Sequence, residues 1–198
     1  KGDVPVLLVA HMDTVHPKLP TIIKEVDGKI SSPQGIGGDD RCGIFIIMNI
    51  IKDLHCSVVL CEDEERGGIG ARKFTNSEFI NKLDVNYIVE FDRANANDAV
   101  FYYCDNEEFT DFVTDCTGFK VASGSFSDIS VIAPAAKTAD PAEASVLPAE
   151  AAAHHPGAFF HYPEFPVRRP IAADMHPPVP FLLLLFLLHI LQGHPGTP

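Results

Sequence analysis

The chain has 198 residues, with 15 Lys and Arg against 27 Asp and Glu, and a formal net charge of −12. This length supports a hydrophobic core of ordinary size. An acidic surface repels phosphate backbones and attracts metal cations, so the composition argues against nucleic-acid binding. The five cysteines are irregularly spaced and include no Cys-x-x-Cys pair. That pattern is typical of free thiols, and we expect a cytoplasmic protein without a signal peptide.

The first elements predicted along the chain are a buried strand and a hairpin. Residues 4–10 form a short continuous apolar run, as expected for a strand buried on both faces of a parallel sheet. The run follows the first residues so closely that we expect an N-terminal piece to be missing. Residues 23–31 alternate apolar and polar around Asp27-Gly28, which predicts a hairpin.

Helices and strands then alternate. The apolar spacing predicts a helix over 42–54, capped by Asp39 or Asp40, and a second helix over 70–83. Buried strands are predicted over 57–61 and 87–91, a further strand over 99–104 and a short helix over 107–117. This order predicts an α/β fold, a three-layer sandwich with a largely parallel central sheet.

The composition changes after residue 133. Residues 134–198 hold 12 of the 16 prolines and 6 of the 9 histidines. We therefore divide the chain into an α/β domain, 1–133, and an Ala/Pro/His-rich tail, 134–198, whose fold is left open. A fusion or a shifted reading frame would explain the change in composition. Its one apolar segment, 181–191, is shorter than the roughly 20 residues that cross a bilayer, so we expect no membrane partner.

Candidate metal ligands occur where predicted strands end or where the first helix begins. They are His11, Asp13, Asp39, Glu64, Glu65 and Asp92. The carboxyl ends of parallel strands meet at one edge of a sheet, so these side chains converge. One imidazole with several carboxylates suits Zn²⁺, with Mn²⁺ or Co²⁺ as alternatives. An acidic pair on its own is more often a solvated turn or a helix cap. The occurrence of all six residues in this order along the chain predicts a metallohydrolase.

Four motifs resemble the dinuclear zinc exopeptidase and amidohydrolase family, which includes peptidase T-like, carboxypeptidase G-like and aminoacylase enzymes. They are His11-Met-Asp13-Thr-Val, Gly-Gly-Asp39-Asp40-Arg-Cys-Gly, Asp63-Glu64-Glu65-Arg-Gly-Gly-Ile-Gly-Ala and Glu90-Phe-Asp92. The resemblance covers roughly residues 1–133. It implies a zinc-exopeptidase-like fold, incomplete at both ends, and a hydrolase of small peptides or N-acyl amino acids.

The resemblance also implies roles for these residues. His11 and Asp92 would bind one Zn²⁺, Asp39 would bridge two ions, and Glu65 would bind the second. Glu64 would be the general base that acts on a water activated by the two metals, and Asp13 would orient the His11 imidazole. Residues 123–128 resemble the family's Ser-Asp loop near the substrate, although a plain loop explains them equally well.

Two departures from the family pattern matter. Only 35 residues, 93–127, separate Asp92 from Asp128, so the chain resembles a lidless variant. The family's final metal-binding His, in a His-Thr-x-x-Glu context, has no counterpart, and none of the six tail histidines is assigned to it. The alternative is therefore an impaired or inactive fragment that binds at most one metal. Arg93 is expected either to contact a substrate carboxylate or to balance local acid charge. Substrate identity and oligomeric state stay open.

Overall fold

The computed structural model describes residues 4–16, 18–27, 29–94 and 97–136, and the backbone of two further strands, 143–147 and 160–161. Its main sheet consists of the six strands β1 (Val4–His11), β4 (Cys56–Cys61), β5 (Tyr87–Phe91), β6 (Asp98–Tyr102), β7 (Lys120–Ala122) and β8 (Glu143–Leu147). Their spatial order is β4-β1-β5-β8-β6-β7.

The main sheet is largely parallel. The pairs β1/β4, β1/β5, β5/β8 and β6/β7 are parallel, and only β6/β8 is antiparallel. Strand β1 lies between two neighbours and is buried along both faces, since Val6, Leu7, Leu8 and Val9 each have 0% exposure. The continuous apolar run at the start of the chain therefore predicted this central strand correctly.

A small second sheet contains the predicted hairpin. Strands β2 (Lys24–Val26) and β3 (Lys29–Ser31) pair antiparallel, with Val26 opposite Lys29. The backbone of β9 (Phe160–His161) adds to the other side of β3. The hairpin prediction for residues 23–31 is confirmed.

Among the residues that the structure describes, four helices cover the two faces of the main sheet. They are α1 (Gly38–Ile50), α2 (Ile69–Thr75), α3 (Glu107–Thr117) and α4 (Asp128–Ile132). On one face, Val6 and Leu8 pack in a cluster with buried residues of α1 and α3. On the other, Leu7 and Val9 pack with residues of α2 and α4. Alternate β1 side chains thus face opposite helix layers, as a strand's period of two requires. The three-layer α/β prediction is confirmed.

Two helix predictions were wrong at their bounds. Helix α2 ends at Thr75 instead of Leu83, because the Asn76 side-chain amide and the Ser77 hydroxyl donate to the carbonyls of Arg72 and Phe74. Such local bonds compete with helix continuation, and only a short 3₁₀ turn, Ile80–Lys82, follows. Helix α1 ends at Ile50, four residues earlier than predicted.

The tail contributes a strand to the main sheet. The backbone of β8 pairs parallel with β5 and antiparallel with β6. The proposed division at residue 133 stays a prediction, and the apolar segment 181–191 lies outside the described residues. Within the part of the chain that the structure describes, no helix is long and apolar enough to cross a membrane.

Candidate metal centre

The strand register brings the first candidate ligands to the same level. Val9 on β1 lies opposite Glu90 on β5, so His11 and Asp92, each two residues further on, leave the sheet side by side. On the other side of β1, His11 lies opposite Cys61, the last residue of β4, and the Glu64-Glu65 pair follows shortly after. Parallel pairing alone therefore collects three of the predicted segments at one sheet edge.

His11 is at the centre of the cluster, with its side chain fully buried. Its Nε2 lies 3.0 Å from Asp39 Oδ1 and 3.8 Å from Asp92 Oδ1. One ligand atom from each of these three residues falls within 4.8 Å of the other two, a grouping that can hold a metal ion. The structure thus brings together three of the four residues predicted to be ligands.

The start of α1 places Asp39 beside His11. Asp39 and Asp40 have non-helical backbone angles, so the regular helix begins after them. Asp40 acts as the cap: the Gly43 N–H donates to its Oδ1 at 3.0 Å, and the His11 N–H donates to its Oδ2 at 3.3 Å. A Cβ at position 43 would overlap the Asp40 carboxylate and lie 2.5 Å from the Phe91 carbonyl oxygen. Gly43 therefore permits the close approach of α1 to β5.

The Glu64-Glu65 pair lies in a short 3₁₀ turn, Glu64–Arg66. Asp13 anchors this turn to the end of β1, because its Oδ1 accepts from the Glu64 N–H at 3.0 Å and its Oδ2 from the Glu65 N–H at 3.3 Å. Glu64 and Glu65 form a second possible metal-binding group with His11, again with ligand atoms within 4.8 Å of one another. The fourth predicted ligand and the predicted base therefore lie at the same site.

Asp13 was predicted to orient the imidazole. Its Oδ1 lies 3.4 Å from His11 Nδ1, but that nitrogen makes no hydrogen bond. The contacts that Asp13 does make are with the backbone of the Glu64-Glu65 turn. Its role toward the imidazole stays a prediction, and the anchoring of the turn was not anticipated.

Glu90 and Ser127 belong to the site, although no role was predicted for either. The Ser127 hydroxyl lies 2.6 Å from Glu90 Oε2 and 3.0 Å from Asp92 Oδ2, and with one proton it donates to one of them at a time. The Ile129 N–H donates to Glu90 Oε2 at 2.8 Å. The end of the Ser-Asp loop thus reaches Asp92. A charged residue in the otherwise apolar strand 87–91 was the sequence signal for Glu90.

Burial and crowding of carboxylates shift several pKa values at the site. Burial lowers the pKa of His11, but the hydrogen bond to Asp39, the nearby Asp92 carboxylate and the charge of Asp40 outweigh it and raise the pKa to about 12. Burial, assisted by the Asp92 charge, raises the pKa of Glu64 to about 8. The position between His11 Nε2 and its two carboxylate neighbours therefore strongly favours positive charge.

The pKa values of three other carboxyl groups at the site are also raised. Burial is the main cause that raises the pKa of Asp92, and burial together with the Asp92 charge raises the pKa values of Asp40 and Glu90 well above their ordinary range. Like charges this close cannot all ionise cheaply without a cation. One imidazole and several carboxylates around such a position are a donor set that fits Zn²⁺ or a similar divalent ion.

Arg93 has a clear structural partner. Its Nε and Nη2 donate to the two carboxylate oxygens of Asp98, both at 2.9 Å. Of the two alternatives for Arg93, this bidentate pair favours the balance of local acid charge. Of the tail histidines, only the backbone of His161, in β9, is described.

No family model matches this sequence, and no curated protein sequence matches it. The fold is similar to the solved structure of the aminopeptidase PepT from Bacillus cereus, with a TM-score of 0.62 and 12% identity over 95% of this chain and 80% of that chain. Two solved structures of the LapA aminopeptidase from Legionella pneumophila give a TM-score of 0.46 and 20% identity, over 73% of this chain and 41% and 43% of theirs. The likeness to PepT concerns the fold, which is α/β in this chain and similar to that of the aminopeptidase.

Proposed function

We propose that this chain is a metal-dependent exopeptidase or amidohydrolase that cleaves small peptides or N-acyl amino acids. The observation that carries the proposal is the buried imidazole of His11, within 4.8 Å of carboxylate oxygens from Asp39 and Asp92 in one group and from Glu64 and Glu65 in another. These carboxylates come from three different segments of the chain, and the fold is similar to that of a solved aminopeptidase.

His11, Asp39 and Asp92 would hold one metal ion. Glu65 would hold a second, and Asp39 would contribute to both. Asp40 supports this set through its bond to the His11 backbone, and Ser127 supports it through its bond to Asp92. Bound Zn²⁺ supplies Lewis acidity, which polarises a scissile carbonyl and increases the acidity of water.

Glu64 is the proposed general base. It would accept a proton from the attacking water and deliver it to the leaving nitrogen. Its side chain is 8% exposed, and its backbone N–H is held by Asp13, so the carboxylate enters the site from an anchored turn. A pKa of about 8 without metal suits proton exchange near neutral pH, and a bound cation would lower it toward the ionised, basic form.

The alternative is a protein that binds one ion and does not turn over substrate. Within the described residues, both candidate groups use the same histidine, His11. All three members of one group, His11, Asp39 and Asp92, are predicted ligands. This favours at least one occupied position and leaves the final ligand of a second position unassigned.

Metal stoichiometry combined with a hydrolysis assay tests the proposal. The full chain, dialysed against trace zinc, is analysed by elemental mass spectrometry and then assayed on di- and tripeptides, aminoacyl-anilides and N-acyl amino acids. We expect about two metals per chain, with hydrolysis that a chelator abolishes and Zn²⁺, Mn²⁺ or Co²⁺ restores. One metal and no hydrolysis of any substrate would support the one-ion alternative, and no metal would refute both.

Two variants separate the roles of the adjacent glutamates. Glu64→Gln is expected to retain metal and lose most turnover, whereas Glu65→Ala is expected to lower metal content. Glu25→Gln, an exposed substitution on β2, is the matched control and should change neither quantity. Turnover unchanged by Glu64→Gln would remove Glu64 from the mechanism.

A further inference from the structure

A basic depression is lined by residues that include near neighbours of the candidate metal ligands in the sequence. It has a volume of about 190 Å³, and its lining includes Thr14, His16, Lys18 and Arg41. A space of this size accommodates a small polar group such as the carboxyl end of a side chain. Of the nine described residues that line it, three are basic and none is acidic. The whole chain has a net charge of −12, so a lining with basic residues and no acidic ones is opposite in sign to the chain as a whole.

Two glycines make room for two of the basic side chains. Gly35 has a φ of +77°, and a Cβ there would overlap the His16 imidazole. Gly37 has a φ of +61°, and a Cβ there would overlap Arg41 Nη1 and lie 3.3 Å from Thr14 Cγ2. Both backbone conformations suit glycine. The Gly35-Ile-Gly37 segment thus allows His16 and Arg41 to lie against the backbone of the depression.

Two backbone carbonyl groups hold the Arg41 side chain in place. Its Nη1 donates to the carbonyl oxygens of Ile36 and Gly37, each at 3.2 Å. A guanidinium has five N–H donors in a planar fork, so these bonds at one nitrogen leave others with which to bind an anion. Lys18 is exposed at the depression and adds a second permanent positive charge.

Two chain segments connect the depression to the candidate metal centre. Thr14 directly follows Asp13, and Gly37 and Arg41 are each two residues from Asp39. Two peptide units span at most about 7.6 Å between Cα atoms. A substrate whose scissile bond lies at the metal ligands can therefore reach this depression with a group on the adjoining residue.

We propose that the depression formed by His16, Lys18 and Arg41 binds a carboxylate of the substrate. This inference rests on the proposed hydrolase function, because that function makes the bound carboxylate part of a substrate. It identifies the substrate class as acidic. Carboxylate is the chemistry that fits, because guanidinium and ammonium groups bind it through charge-assisted hydrogen bonds. The carboxylate has two possible sources, an acidic side chain and a free C-terminus.

Binding of three nearly isosteric probes tests the proposal without relying on turnover. N-acetyl-glutamate α-amide carries only a side-chain carboxylate, N-acetyl-glutamine carries only an α-carboxylate, and N-acetyl-glutamine amide carries neither. Their affinities for the full chain are measured by calorimetry with a chelator present, so that carboxylate binding to a metal does not contribute. Lys18→Gln removes one charge of the depression, and Lys24→Gln makes the same change on the exposed strand β2.

We expect one of the two charged probes to bind more tightly than the neutral probe. The charged probe that binds more tightly identifies the source of the carboxylate. Lys18→Gln should weaken that probe about threefold to fivefold, and high salt should weaken it further, whereas Lys24→Gln should leave it unchanged. Equal affinity for all three probes, or no effect of Lys18→Gln, would overturn the proposal. Because no step requires hydrolysis, an inactive chain that still binds the charged probe through Lys18 would refute only the proposed function.

Discussion

Glu64 is expected to reduce the stability of the metal-free protein as the pH rises. Its pKa is about 8 in the folded chain, against an ordinary value of 4.5. Between these values the folded state retains a proton that the unfolded state has lost, so the free energy of unfolding falls as the pH rises. The penalty is absent below about pH 4.5 and fully present above about pH 8. Glu64→Gln removes the titrating group and should remove this part of the pH dependence.

The magnitude follows from the pKa difference. At about 1.36 kcal/mol for each pH unit, the difference between 4.5 and about 8 corresponds to about 5 kcal/mol. Structural relaxation and water penetration around a buried charge reduce this penalty to about 2 kcal/mol. For a chain of this length, a change of 2 kcal/mol shifts Tm by roughly 4–8 °C. Metal-free Glu64→Gln should therefore melt about 4–8 °C above the parent at pH 8.5, although it lacks the proposed base.

Thermal unfolding followed by circular dichroism at pH 5, 7 and 8.5, with a chelator present, measures this difference. The gap between variant and parent should widen with pH, and Glu25→Gln should show no gap. In a parallel series without chelator, added zinc should narrow this gap in melting temperature, because a cation stabilises the ionised glutamate. A Glu64→Gln variant that melts at or below the parent temperature at pH 8.5 would refute the argument that buried like charges oppose folding here.

Four further outcomes are expected. Ser127→Ala removes the hydroxyl that contacts Asp92 and should lower zinc affinity about 10-fold to 100-fold, measured by competition with a chromophoric chelator; unchanged affinity would contradict a positioning role. Gly43→Ala should cost about 1–3 kcal/mol in urea unfolding, because its Cβ meets the Asp40 carboxylate; a neutral result would show that α1 can shift. Zinc at 100 times its Kd should stabilise the chain by about 2.7 kcal/mol, visible as a higher Tm. Truncation after residue 136 removes β8 from the sheet and should abolish cooperative unfolding; an unchanged melting curve would show that β8 is dispensable.

Elements with strong local signals were predictable from the sequence. Helix α3 has the predicted bounds, Glu107–Thr117, because Asn106 caps it by accepting from the Phe109 N–H at 3.0 Å. Strand β5 also matches its prediction, since a short apolar run between polar segments has few alternatives. Helix α2 was overextended because Asn76 and Ser77 end it through local bonds that apolar spacing does not report.

The convergence of the candidate ligands was also predictable, because it follows from parallel strands. The polar residues that support them were not. The Ser127 hydroxyl meets Glu90 across 37 residues of sequence, and this contact depends on where α4 packs. The anchoring of the Glu64-Glu65 turn by Asp13 is similarly a product of register between β1 and β4. Long-range polar contacts of this kind have no periodic signature in a single sequence.

The position of β8 has a kinetic consequence. It lies between β5 and β6 in space but follows both in the chain, beginning 52 residues after Phe91 (143 − 91). At about 5–20 residues per second, a nascent chain would wait roughly 3–10 s between completing β5 and supplying its neighbour. During that interval β5 presents an open edge, which invites pairing with other chains, and the β6/β7 pair has no sheet to join. Expression yield should therefore depend on translation speed and chaperone supply between residues 92 and 147 more than on the stability of the finished fold.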